Sequence, residues 1–189
     1  MKDLDELIAG CKRGDAKMQK ELYDRFSARF YALCCRYAPD DDIAKELLVD
    51  GFMTIFSEIG NYRGDGAFEG WMWVIMRRVI IADYRRNRKH REAVPLDAVV
   101  GMAAPNKSQD SKMDLRDALR AALQSLNDKE RVAFNLVAVD EYTFKEVGEM
   151  LRIPESTVKS RFYMAKEKLK KILIKKLGKD YLRGESYIL

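Results

Sequence analysis

The sequence is poor in the residues that interrupt or crosslink a chain, with four prolines, eleven glycines and three cysteines in 189 residues. So few turn-forming residues favour long helices over a turn-rich β fold. An odd number of cysteines, Cys11 and the adjacent Cys34 and Cys35, does not make a disulfide framework. These thiols are therefore interpreted as small buried side chains in a reducing compartment, and nothing else in the sequence supports a redox sensor.

Other absences exclude whole classes of protein. No apolar run approaches the roughly eighteen residues that a membrane span needs, and the first residues lack the charged-then-apolar pattern of a signal peptide. We therefore expect a cytoplasmic protein. The one histidine, His90, lies in a basic segment without metal-ligand spacing, and no phosphate-binding glycine loop is present. The sequence thus predicts no catalytic residue, no metal and no cofactor.

Charge is abundant and unevenly distributed. Charged residues make up 34% of the chain; residues 1–70 carry a net charge of −4, whereas the whole chain carries +5 and the remainder therefore +9. A chain divided in this way often binds a polyanion through one part only. A solvated basic face is the alternative interpretation.

Hydrophobic periodicity predicts an all-α protein of two small helical domains joined by a flexible linker. The predicted first domain covers residues 1–92, the linker 93–112, the second domain 113–178 and a tail 179–189. The linker is rich in small and polar residues, contains two prolines and has little periodicity. Four helices are predicted in the second domain, over residues 114–125, 128–139, 144–151 and 155–175.

The first domain combines apolar helices with a basic, aromatic segment. A helix that begins after the carboxylates of residues 40–42 is predicted to end at Gly60 and Asn61. A glycine-containing loop follows, and then a strongly apolar helix from Phe68 to about Arg88. Trp71 is predicted to lie in the core. Arginines beside aromatic residues can hold single-stranded nucleic acid by charge and stacking; the basic residues here are Arg77, Arg78, Arg85, Arg86, Arg88, Lys89 and Arg91.

The second domain contains a helix-turn-helix pattern. Thr143 and Glu146 predict a capping box at the start of its first helix, Gly148 allows close packing, and Pro154 suits the beginning of the next helix. Arg152 stands where a glycine commonly makes the turn. The following helix is apolar on one side and polar and basic on the other, as entry into the DNA major groove requires. An ordinary helical hairpin with a solvated basic face is the alternative.

Taken in this order, these segments resemble the extracytoplasmic-function (ECF) sigma factors of bacterial RNA polymerase. Residues 42–56 resemble the polymerase-binding helix, residues 62–72 and 83–89 the element that melts and reads the −10 promoter motif, and residues 142–169 the domain that reads the −35 motif. The resemblance implies a transcription initiation factor that is not an enzyme. Its implied partners are core RNA polymerase (the β′ clamp and β), promoter DNA and an anti-sigma factor.

The resemblance also implies a role for each candidate residue. Core polymerase would be bound by Glu46, Asp50 and Met53. The loop at residues 61–68 would capture a flipped base, and −10 DNA would be bound by Arg63, Asp65, Phe68, Arg77, Arg78, Arg85, Arg86, Arg88 and Lys89. The −35 motif would be bound by Ser156, Thr157, Lys159, Ser160, Arg161, Tyr163 and Lys166. Three residues depart from the family pattern: Val49 replaces a frequent glutamine, Arg78 a frequent asparagine and Ala82 a frequent acid.

Three other functions stay open at this point. A conventional operator-binding regulator would use the same helix-turn-helix, but it would need a dimer and no heptad zipper is evident. An enzyme acting on nucleic acid would need a site that the sequence does not offer. An antagonist that mimics a sigma domain would not need DNA-reading features in both domains.

Overall fold

The computed structural model describes residues 3–92 and 115–177, without the side chains of residues 88–92, 115–118, 120, 176 and 177. The predicted linker (93–112) and tail (179–189) lie outside the described residues, so the predicted domain borders stay predictions. The chain forms two compact units, Met1–Tyr84 and Arg85–Leu189. Within the described residues the secondary structure is helical throughout, which confirms the predicted all-α class. None of the described helices is both long and apolar enough to cross a membrane.

Aspartates define where the helices of the first unit begin. The Asp3, Asp15 and Asp40 carboxylates accept hydrogen bonds from backbone amides at the first turn of successive helices, at 2.8, 2.9 and 2.9 Å. Each cap of this kind stabilises a helix by about 1 kcal/mol. The helices that begin in the first unit are α1 (Leu4–Lys12), α2 (Ala16–Tyr37), α3 (Asp41–Glu58), a 3-10 turn (Ile59–Asn61) and α4 (Phe68–Glu92).

Aromatic side chains join α2, α3 and α4 into one core. The buried Phe30 ring lies 5.9 Å from Phe52 and 5.1 Å from Trp73, in edge-on geometry. Gly51 allows α3 and α4 to approach, since a Cβ at this position would lie 1.9 Å from the sulfur of the buried Met76. The apolar residues that recur at helical spacing along α2 are all buried: Leu22, Phe26, Phe30, Leu33 and Tyr37.

In the second unit a long helix, α8 (Glu155–Leu177), packs against three shorter ones. Its apolar side buries Val158, Ala165 and Leu169, as the sequence predicts, with Phe162 and Ile172 partly buried. The other helices are α5 (Leu115–Gln124), α6 (Asp128–Phe134) and α7 (Phe144–Leu151).

Polar residues are buried inside this second core. Both carboxylate oxygens of Glu130 accept hydrogen bonds from Lys168, at 2.7 and 2.8 Å, and so join α6 to α8. Arg131 is 1% exposed; it donates to the Leu126 carbonyl at 2.8 Å and pairs with Asp128. Hydrophobic periodicity does not reveal such residues, and the sequence did not predict this group.

A π turn follows α6 directly and spans Asn135–Val139. The Asp140 amide donates to the Asn135 carbonyl at 2.9 Å, five residues back, instead of four as in an α-helix. The sequence predicted one continuous helix over residues 128–139, because the local widening leaves the hydrophobic pattern almost unchanged. The π turn therefore sets how the chain enters α7.

Candidate nucleic-acid interface

One face of α3 carries an exposed mixture of acidic and apolar side chains. Glu46 and Asp50 are exposed, and between and beside them lie Val49 and Met53, which are 54% and 65% exposed. Positions three and four apart share one side of a helix. The three residues predicted to bind the polymerase therefore lie together on one surface, to which the structure adds Val49.

The segment between the 3-10 turn and α4, here called the glycine loop (residues 62–67), projects two charged side chains. Arg63 and Asp65 are exposed. Gly64 and Gly66 have φ values of +85° and +108°, which side chains with a Cβ rarely adopt. The Tyr62 hydroxyl donates to the Gly66 carbonyl at 2.6 Å and spans the loop.

Aromatic rings support the glycine loop from below. Tyr62, Phe68 and Trp71 lie with ring centroids 5.0 to 5.5 Å apart. Phe68 is only 3% exposed, so the structure places it in the interior and not on a DNA-facing surface. Trp71, predicted as core, is only partly buried and completes this aromatic group.

The basic residues of α4 differ in their surroundings. Arg77 is partly buried, with its guanidinium 5.7 Å from the centre of the Trp73 ring, and Arg78 forms an ion pair with Glu58 of α3. Arg85 and Arg86 are exposed. Arg88 and Lys89 belong to α4, but their side chains lie outside the described residues.

The helix-turn-helix forms as the sequence predicts. The Thr143 hydroxyl and the Glu146 carboxylate cap each other's backbone amides. The Thr143 hydroxyl also donates to the Glu146 carboxylate at 2.7 Å, and this bond, with the bond from the Thr143 amide, holds the pKa of Glu146 below its usual value. A Cβ at Gly148 would lie 2.9 Å from the Ile153 carbonyl oxygen, so the turn requires glycine here. Arg152 adopts the left-handed conformation, with φ of 54°. The Pro154 carbonyl accepts the first hydrogen bonds of α8.

The first turns of α8 expose one polar face. Ser156, Lys159, Ser160 and Tyr163 are exposed there, whereas Thr157, Arg161 and Lys166 are partly buried. Lys159 bonds to Glu155 at 2.7 Å, which raises the pKa of this lysine, and its ammonium lies 5.7 Å from the Phe144 ring. The structure thus brings all seven predicted −35 residues onto the beginning of one helix.

Some exposed residues were not predicted. Val74 is 62% exposed in the middle of α4, and Met164 is 52% exposed beside Tyr163 on α8. The sequence analysis also missed two acidic partners, Glu58 and Glu155. Glu155 lies four residues before Lys159 on the same helix, and this spacing could have indicated the ion pair. The fold and the exposed basic surfaces together define a two-part nucleic-acid-binding protein.

Comparison with known proteins identifies the family of nucleic-acid-binding proteins to which the chain belongs. The family model for Sigma-70 region 2 matches residues 22–90, and that for Sigma-70 region 4 matches residues 116–169. The chain belongs to the sigma-70 family, in its extracytoplasmic-function (ECF) group, and is a transcription initiation factor, which confirms the resemblance. The predicted partnership with RNA polymerase is confirmed with it.

Two relatives align with most of this chain. The ECF sigma factor SigW of Bacillus subtilis is 26% identical over 179 residues, covering 88% of this chain and 94% of SigW. SigE of Mycolicibacterium smegmatis is 31% identical over 160 residues; the match covers 82% of this chain but 61% of that longer protein. Among solved structures, the sigma factor RpoE in complex with the anti-sigma factor NepR from Bartonella quintana gives a TM-score of 0.49 at 20% identity, covering 82% of this chain and 95% of RpoE.

Proposed function

We propose that the two units divide promoter recognition between them. The second unit reads the −35 motif in the major groove through the beginning of α8. The glycine loop and the arginines of α4 read and melt the −10 motif, and α3 binds core RNA polymerase. RNA synthesis itself belongs to the polymerase, and we propose that this protein contributes no catalytic residue and works in the cytoplasm.

The observation that carries this proposal is the two-sided character of α8. Val158 and Ala165 are fully buried, whereas Ser156, Lys159 and Ser160 on the opposite side are exposed directly after a helix-turn-helix turn. In helix-turn-helix proteins this end of the second helix contacts base edges, and basic residues further along contact phosphate. We assign base contacts to Ser156, Lys159 and Ser160, and backbone contacts to Lys166.

For the −10 motif, support comes from the glycine loop and its surroundings. Arg63 and Asp65 project from a loop whose backbone is held from within, and Arg85 and Arg86 are exposed further along the chain. Extruding a base from a duplex requires a few kcal/mol, which a shaped pocket can offset. We assign base capture to the loop and backbone binding to the arginines, and we leave the buried Phe68 a supporting role.

For polymerase binding, support comes from the exposed apolar residues of α3. Val49 and Met53 would be excluded from water when a partner covers them, while Glu46 and Asp50 offer charged contacts around them. We assign this face to the β′ clamp. We also propose that an anti-sigma factor covers an exposed apolar surface of the free protein.

Run-off transcription with purified core polymerase on a pool of promoter fragments tests the proposed function. Promoter-specific transcripts should appear only when the protein is added, and their upstream sequences should share two motifs. Lys159→Ala and Arg161→Ala should weaken transcription from promoters with the preferred −35 motif, whereas Lys17→Ala, an exposed lysine on α2, should not. Absence of specific transcripts, together with a sequence-selective shift of duplex DNA by the protein alone, would instead identify a dimeric operator-binding regulator.

A further inference from the structure

The conformation of the glycine loop is held by one side chain. The Tyr62 hydroxyl bonds to the Gly66 carbonyl at 2.6 Å, and the Gly66 amide bonds to the Gly64 carbonyl at 3.0 Å. The Tyr62 ring also packs on Phe68 and Trp71, at the start of α4. Tyr62 therefore joins the two ends of the glycine loop through its hydroxyl and fixes the loop to α4 through its ring.

Lys12, which belongs to α1, in turn holds the backbone of Tyr62. Lys12 lies in the last turn of α1, and its ammonium donates to the Tyr62 carbonyl at 2.7 Å. The same nitrogen lies 5.9 Å from the centre of the Tyr62 ring. A charged donor to a backbone carbonyl forms one of the stronger hydrogen bonds of a protein surface. α1 itself is fixed to α2, where Gly10 lies against Met18.

We propose that Lys12 and the Tyr62 hydroxyl are positioning residues for base recognition at the −10 motif. They hold the glycine loop in its recognition shape before DNA arrives, and neither residue contacts the base. A preformed loop loses less conformational freedom on binding. A loop that is not held in advance must become ordered only when it captures the preferred base, so the difference in affinity between the preferred base and a replaced base becomes smaller. The inference rests on the proposed function of the glycine loop in base capture.

Two substitutions separate this role from others. Tyr62→Phe removes the hydroxyl and its bond to Gly66 while keeping the aromatic packing, and Lys12→Met removes the donor and the charge while keeping the length of the side chain. Lys17→Met is the matched control, since Lys17 is an exposed lysine at the start of α2. Thermal melts establish that each full-length variant is folded; if Lys12→Met does not fold, Tyr62→Phe decides.

The measurement is the affinity of the reconstituted holoenzyme for single-stranded −10 oligonucleotides. The preferred sequence comes from the run-off experiment, and each base is then replaced in turn. Discrimination is the ratio of Kd for the replaced base to Kd for the preferred one. We expect both variants to lower it about fivefold at the captured base, the effect of losing one hydrogen bond. Core-polymerase affinity and the Lys17→Met variant should match wild type.

Each contrary result has a distinct signature. Wild-type discrimination in both variants would overturn the inference while leaving the proposed function intact. Lys12→Met could instead lower the affinity for every oligonucleotide equally and reduce the slope of log affinity against log salt concentration by about one. That result would show a direct phosphate contact and overturn the positioning role of Lys12. No discrimination by the wild-type holoenzyme itself would overturn base capture by the loop, and the inference with it.

Discussion

Asp50 and Met53 lie on the exposed face of α3, one turn of the helix apart. Their side chains make no contribution to the core, so their removal should affect a partner and not the fold. We expect Asp50→Ala and Met53→Ala each to weaken binding to core polymerase by about tenfold, the effect of a well-placed interface residue. Fluorescence anisotropy of the labelled protein titrated with core polymerase measures this.

The control for these variants is Asp24→Ala, which removes an exposed acid from α2. It should bind core polymerase like wild type. Equal weakening by Asp24→Ala would mean that net charge, and not the α3 face, governs binding. Lower melting temperatures for Asp50→Ala or Met53→Ala would mean that α3 acts through the fold.

The reactivity of the buried cysteines gives another prediction at the scale of single residues. Burial raises the pKa of Cys34 from 9.0 to about 12 and that of Cys11 to about 11. The thiolate is the reactive form, so both thiols should react with iodoacetamide at least tenfold more slowly in the native protein than in the unfolded protein at about pH 8. Mass spectrometry of time-resolved labelling reads each site; rapid native labelling of Cys34 would contradict its buried position.

The same pKa shifts have a consequence for stability. A thiol whose folded pKa is raised stabilises the fold fully below its unfolded pKa, near 9.0, and loses that contribution as pH rises toward the folded value. We therefore expect the free energy of unfolding to fall between about pH 9 and pH 12, and Cys34→Ala to reduce this fall. Urea denaturation across this range tests it, and an unchanged pH profile in Cys34→Ala would contradict it.

At the scale of secondary-structure elements, substitutions at two positions around the turn between α7 and α8 should have opposite effects on stability. Gly148→Ala places a methyl group 2.9 Å from a backbone oxygen that cannot move without opening the turn, and we expect a loss of about 1–3 kcal/mol. Arg152→Gly relieves a left-handed backbone and should stabilise the turn by up to about 1 kcal/mol.

Amide hydrogen exchange of α7 and α8 measures these two changes where they occur. Both tryptophans of the chain, Trp71 and Trp73, lie in the first unit, so tryptophan fluorescence during denaturation provides an internal control. That transition should not move in either variant. Faster exchange in Arg152→Gly than in wild type would contradict the assigned strain.

The sequence predicted most helices to within a few residues, because caps and apolar spacing are local properties. It missed the π turn, whose extra residue leaves the apolar pattern intact, and it missed the buried Glu130 and Arg131, whose burial depends on partners distant in the sequence. Phe68 was assigned to −10 DNA by the family resemblance alone, and the sequence pattern around it is the same whether its ring faces solvent or the core. Only the packing of Tyr62 and Trp71 distinguishes the two.

At the scale of the whole molecule, charge is separated along the chain, with a net −4 in residues 1–70 and +9 beyond them. Promoter affinity of the holoenzyme should therefore fall steeply with salt, since each phosphate contact contributes about 0.9 to the log–log slope. Lys166→Met should lower this slope by about one and weaken all promoters equally. Filter binding over a range of salt concentrations measures it.

Ser156→Ala is the matched comparison for this experiment, because it removes a proposed base contact without changing charge. It should alter the order of preference among −35 sequences and leave the salt slope unchanged. A changed order of preference with Lys166→Met would contradict its assignment to the phosphate backbone.

Because of the π turn at Asn135–Val139, this segment should tolerate a change of residue type better than a change in the number of residues. An α-helix turns by about 100° for each residue. Deleting one residue here would restore ordinary helical hydrogen bonding and would also rotate the start of α7, and with it the helix-turn-helix, by about that angle. Substitutions that preserve the buried Asn135 and Leu136 should thus be tolerated in a library of variants, whereas single-residue deletions should disappear under selection for promoter activity.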